Sequence, residues 1–207
     1  MSALITTTAD NATFTIAELL EIWVTDFGSA AHGSANTGGF NTGALAGTQY
    51  STNNAAGTYA YIAESDTSLS YNIQTHVVTG NLDNLNLGSD LSASSIGTSS
   101  GTYTLANVSA SLTDLDWNAT TTNAALADLQ TVNTSTATPV LEQISDLLAG
   151  LSSSFADAVS AYNNLYDNDP VYSFDTITLE QLAQVDAAEL TTVGSAAFTE
   201  SELALAA

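Results

Sequence analysis

Ile16, Leu19, Leu20, Trp23 and Phe27 recur every three or four residues, which is the period of one helical face. Thr15 precedes this run and Glu18 stands three residues later, so a capping box starts the helix, and Gly28 stops it. Beyond Gly28 the period is lost. Residues 28–47 are rich in Gly, Ser, Ala and Asn and read as a long loop of the functional kind. Alternation of period two then takes over, as in Tyr59/Tyr61/Ala63 and Leu85/Leu87. It predicts strands over 49–52, 58–64, 68–73, 76–81, 84–87 and 102–112, punctuated by Gly57, Gly80, Gly88 and Gly101. The helical period returns over 123–132, over a segment that opens at Thr138-Pro139 and runs through Leu151, and over 153–166. A second capping box, Thr178 with Gln181, precedes Leu179, Leu182 and Val185. Residues 1–14 read as a short strand or an arm. Strands followed by a helical block predict an α+β fold, an antiparallel sheet with helices packed on one face. Residues 1–190 form one domain and residues 191–207 a C-terminal tail.

Composition narrows the function more than the fold. The chain has 22 acidic residues, no Lys and no Arg, and a formal charge of −22, yet only 11% of its residues are charged. One sign of charge has been removed, and the rest of the surface falls to Ser, Thr, Asn and Gly. With nothing to neutralise phosphates, nucleic acid is excluded as a partner, and so is an anionic membrane surface. No run of residues reaches the roughly 18 apolar positions of a membrane span, so membrane insertion is not expected. Cations such as Ca²⁺ are expected to gather around the chain, diffusely or at carboxylate clusters. There is no cysteine, and the stretch MSALITTTADNATF lacks the basic and apolar regions of a classical signal peptide.

Few residues are left to do chemistry. A Lys-dependent phosphate loop is impossible. Serine is so abundant that one lying near a histidine carries no weight toward a Ser–His–Asp triad, and an enzyme is not expected. The only two histidines, His32 and His76, fall in two apparent loops at opposite ends of the strand-rich region, and Tyr71 lies just before the second. Taken singly each has an ordinary reading, a loop histidine as exposed and a strand tyrosine as packing. No HExxH or comparable spacing marks a zinc site.

The segments FTIAELLEIWVTDFGSAAHG, NTGGFNTGALAGTQY, SLSYNIQTH and TGNLDNLNLGSDLS, in this order, resemble those of the HasA-type hemophores, secreted bacterial proteins that capture extracellular haem. The likeness is strongest from about Phe14 to Leu91. Beyond Asn123 only the helix layout and the ending SELALAA are similar. The resemblance implies a curved antiparallel sheet with helices on one side and haem b held between two loops. His32 matches the loop histidine on one face of the iron and Tyr71 the tyrosine on the other. His76 matches the histidine that hydrogen-bonds the phenol oxygen. A ferric ion favours an anionic oxygen donor, and tyrosine is an established haem ligand. Phe40, Leu45 and Ile73 are candidates for apolar contact with the macrocycle, whose propionates, lacking any Lys or Arg partner, are expected to face water.

Both loops are shorter than the family pattern, and the helix over 153–166 looks like an addition. The resemblance further implies secretion to the extracellular space by a type I exporter that reads the C-terminal tail, and delivery of haem to an outer-membrane receptor. The rival expectation is a structural one: the same fold as a homo-oligomer or extracellular filament, with or without haem. An acidic Ca²⁺-dependent adhesin is a third.

Overall fold

The computed structural model describes residues 3–7, 11–74, 77–98, 100–166 and 171–185. His76 and the tail 191–207 lie outside these residues. The architecture is α+β, with one antiparallel sheet of seven strands and helices stacked on one face. The strands are β1 (Leu4–Thr7), β2 (Gly39–Phe40), β3 (Ala46–Asn53), β4 (Tyr59–Asn72), β5 (Val77–Gly80), β6 (Asn84–Ser94) and β7 (Thr102–Thr113). Their order is β1-β7-β6-β4-β3-β2, and β5 pairs with β4 off this path.

The first helix, α1 (Ile16–Phe27), carries the expected capping box. The Glu18 amide donates to Thr15 Oγ1 at 3.2 Å and the Thr15 amide to Glu18 Oε2 at 2.8 Å. Gly28 closes the helix at φ 70°, a conformation that favours glycine. Its Ile16, Leu19, Leu20, Trp23, Val24 and Phe27 are all buried. They meet rows of strand residues that the register sets side by side. Tyr61 stands opposite Leu87 and Leu87 opposite Ala110, while Ala63 faces Leu85 and Leu85 faces Leu112. Period-two alternation turns each row onto the helix side, where it joins the same core. Each such side chain contributes up to about 1.5–3 kcal/mol on burial.

Two predicted strands, 58–64 and 68–73, prove to be a single 14-residue strand, β4. Between Gly47 and Gln49 the β3 register slips, so that two residues of β3 span five of β4. This bulge absorbs the polar stretch Glu64–Thr67 that the alternation treats as a break. β5 and β6 then share one edge of β4, and Leu82 leaves the sheet between them to pair with Trp117.

The helical block is also cut differently. α2 (Ala119–Thr131) starts earlier than predicted because the Asn118 side chain accepts from the amides of Thr120 and Thr121. The segment after Thr138 divides into α3 (Val140–Gln143) and α4 (Ser145–Ser154), with Pro139 itself at the cap position. Ile144 sits between them at φ −112°, ψ 29°. The break has a tertiary cause: Asp128 Oδ2, on α2, accepts from the amides of Asp146 (2.8 Å) and Leu147 (3.0 Å) and so caps α4 from outside. Burial raises the Asp128 carboxyl above its ordinary range, and those two amides only partly oppose it. α5 (Ala156–Tyr166) follows. A last helix, α6 (residues 179–185), opens with the predicted Thr178–Gln181 box.

The run Gly97–Gly101 spells Gly-x-Ser-x-Gly, the lettering of a nucleophile elbow, but it lies in the β6–β7 hairpin. An elbow requires a strand-to-helix turn, whereas this run joins two antiparallel strands. No helix among the described residues is long and apolar enough to cross a membrane.

Candidate functional site

Two arms rise from the β3 end of the sheet. The first, between α1 and β2, carries His32 as the residue before a 3-10 turn, Gly33–Ala35. His32 is exposed. The arm is fixed by Asn53, a buried residue at the end of β3. Asn53 Oδ1 accepts from the Thr37 amide (2.7 Å) and hydroxyl (3.2 Å), and its Nδ2 donates to the carbonyls of Ala35 (3.2 Å) and Asn54 (2.9 Å). The Asn53 carbonyl takes the Ala31 amide at 2.9 Å, and Gly38 lies so close to Ser51 that a Cβ there would collide with the Ser51 carbonyl. Replacing Asn53 by Ala strands four backbone or hydroxyl groups, at about 1–3 kcal/mol for each that stays buried. Asn53→Ala is expected to weaken ligand uptake and speed hydrogen exchange at residues 31–38, with exchange elsewhere unchanged.

The second arm is the outer half of β4. Leu69 is fully buried, and Tyr71, two residues on, points to the same side, half-buried against the core. The Tyr71 amide donates to the Leu45 carbonyl at 2.8 Å, which ties this arm to the loop between β2 and β3. Ile73 and Leu45 are both largely exposed.

Between the arms is a cavity of about 270 Å³ lined by Ala30, Ala31, His32, Gly33, Asn36, Gly39, Phe40, Ala44, Leu45, Tyr50, Thr52, Tyr71 and Gln130. His32, Tyr71 and Phe40, singled out in the sequence, are thereby brought to one space, together with Leu45; Ile73 is not among the lining residues. Phe40 is buried and pairs with Tyr50 across β2 and β3, their rings 5.0 Å apart and tilted by 50°. None of the lining residues is Asp or Glu, although the protein carries 22 of them. Among the described residues, no carboxylate lines the space that an imidazole and a phenol share.

Tyr50, Thr52 and Gln130 form the polar part of the lining and have no marking motif in the sequence. Thr52 Oγ1 donates to Tyr50 Oη at 3.1 Å and Gln130 Nε2 donates to it at 3.2 Å. Burial pushes the Tyr50 phenol above its ordinary range, the Thr52 hydroxyl draws it part of the way back, and Tyr71 raises it further. Among the described residues no group of three or more His, Cys, Asp or Glu is placed to hold a metal ion. A ligand that brings its own metal needs fewer protein donors. One imidazole and one phenol, with aromatic and aliphatic walls, suit an iron macrocycle.

The sequence pattern of the family described as Heme-binding protein A (HasA) matches residues 1–207. Among solved structures, the chain resembles the apo hemophore HasA of Yersinia pestis at TM-score 0.57 and 22% identity, over 73% of this chain and 87% of that one. It resembles the holo form from the same organism at TM-score 0.55 and 22% identity, over 72% and 89% of the two chains. A variant HasA of Yersinia pseudotuberculosis gives TM-score 0.54 and 23% identity, over 68% and 87%. No curated protein matches. At these identities the structures speak for the fold, and the whole-length pattern speaks for descent: the chain belongs to the HasA family.

Proposed function

We propose that this protein is an extracellular haem carrier, binding one haem b in the cavity between the His32 arm and the Tyr71 arm. It is a carrier and not an enzyme. The observation that supports this most is the convergence of His32 and Tyr71, 39 positions apart in the sequence, on one acid-free cavity. Haem supplies the ferric ion. His32 would offer a neutral imidazole nitrogen and Tyr71 an anionic phenol oxygen, while Phe40 and Leu45 pack against the ring. His76 would hydrogen-bond the Tyr71 oxygen and set its phenolate character.

The cavity is smaller than the roughly 300–1,000 Å³ usual for small-molecule sites. A macrocycle therefore projects through the mouth, which leaves its carboxylates in water in a chain that has no Lys or Arg to pair with them. Release to an outer-membrane receptor and export guided by the tail 191–207 complete the reading. Titration of the purified protein with ferric haem tests it: a Soret band that saturates at one equivalent is expected. Linear, unsaturated absorbance growth, as with haem in buffer, would overturn it.

A further inference from the structure

Tyr50 accepts two hydrogen bonds, from Thr52 Oγ1 at 3.1 Å and from Gln130 Nε2 at 3.2 Å. A phenol oxygen has two acceptor positions and one O–H to give. With both acceptor positions taken, the direction left for the O–H is fixed. It is not spent inward, because the buried Tyr61 hydroxyl behind it has no hydrogen-bond partner. Among the described residues the Tyr50 O–H has no acceptor at all. Its ring is held by Phe40, 5.0 Å away, and its edge forms part of the cavity wall that Tyr71 also lines.

We infer that Tyr50 is a positioning residue of this cavity, whose O–H is aimed by Thr52 and Gln130 toward the space shared with Tyr71 and hydrogen-bonds the Tyr71 oxygen, directly or through water, when haem is bound. This rests on the haem reading above. The two phenols divide the work: Tyr71 donates to the iron, and Tyr50 withdraws part of that donation. A hydrogen bond to a ligand oxygen lowers its electron donation, and ferric iron depends on that donation more than ferrous iron does. Tyr50 would thus raise the reduction potential of bound haem.

The test is Tyr50→Phe in the haem-loaded protein, which keeps the ring against Phe40 and removes only the O–H. The reduction potential is expected to become more negative, favouring the ferric form about tenfold, the scale of one net hydrogen bond, and the phenolate-to-iron charge-transfer band is expected to move. Thr52→Val, which frees one acceptor position and lets the O–H swing away, should shift the potential in the same direction by less. It also serves if Tyr50→Phe fails to fold. A normal Soret band in the wild type with unchanged potential and spectrum in Tyr50→Phe overturns the inference alone. Absence of the wild-type band overturns the haem reading with it.

Discussion

The variant His32→Ala/Tyr71→Phe is expected to lose the Soret band that the parent protein gives with one equivalent of haem. Among the described residues, the two substitutions remove the only imidazole and the only half-buried phenol that line the cavity beside Phe40 and Leu45. Removing even an outer hydrogen-bond partner of a metal ligand commonly costs about 10–100-fold in affinity, so removing both proposed ligands should cost well over a hundredfold. The single variants should be ordered. Tyr71→Phe is expected to be the more damaging, because a hard ferric ion gains most from an anionic oxygen, and His32→Ala should leave weak, tyrosine-held haem. Folding should be untouched, since His32 is exposed and Tyr71→Phe keeps its ring against the core. Unchanged uptake by the double variant, with an unchanged circular dichroism spectrum, would remove both residues from the site.

Mild acid is expected to stabilise this protein, where many proteins lose stability. In an ordinary chain, carboxylates paired with Lys or Arg have lowered pKa values, and protonating them removes stability. Here no Lys or Arg exists, and the formal charge is −22. Asp128 shows the opposite sign, its folded carboxyl raised mainly by burial. A carboxyl whose pKa is higher folded than unfolded binds protons more tightly in the folded state. Stability therefore rises as pH falls through the folded pKa, and the gain is complete below the unfolded value, about 3.9. Self-repulsion is relieved over the same range. The melting temperature should climb by several degrees between pH 7 and pH 5 at low ionic strength, at about 2–4 °C per kcal/mol for a chain of this size. Added salt at pH 7 should reproduce much of the rise by screening. Asp128→Asn, which keeps an oxygen to cap α4 but no charge, should flatten part of the pH dependence. A melting temperature that falls steadily from pH 7 to pH 5 would show that hidden pairing outweighs repulsion.

What could be read from the residues alone was local. Both capping boxes join positions three apart, so spacing suffices to find them, and α1 and α6 begin where predicted. Strand faces follow from period-two alternation, which is why Tyr61, Ala63, Leu85 and Leu87 could be placed together. The candidate donors stood out because a chain with two histidines and no Lys, Arg or Cys leaves so few alternatives. Its lack of Lys or Arg ion pairs follows from the same count.

The remainder depended on contacts between distant parts of the chain. β4 runs on through Glu64–Thr67 because it bulges there against β3, and no period in that polar stretch announces this. The helix after Thr138 breaks at Ile144 because a carboxylate from α2 caps the next turn. Asn53 reaches back 16 to 18 positions to pin the His32 arm, and Gln130 reaches 80 positions to hold Tyr50. Sequence determined which atoms were available to meet a ferric ion. Tertiary structure decided that an imidazole and a phenol share one cavity, with no described carboxylate in its wall, because side-chain spacing cannot report a contact made only after the sheet has closed.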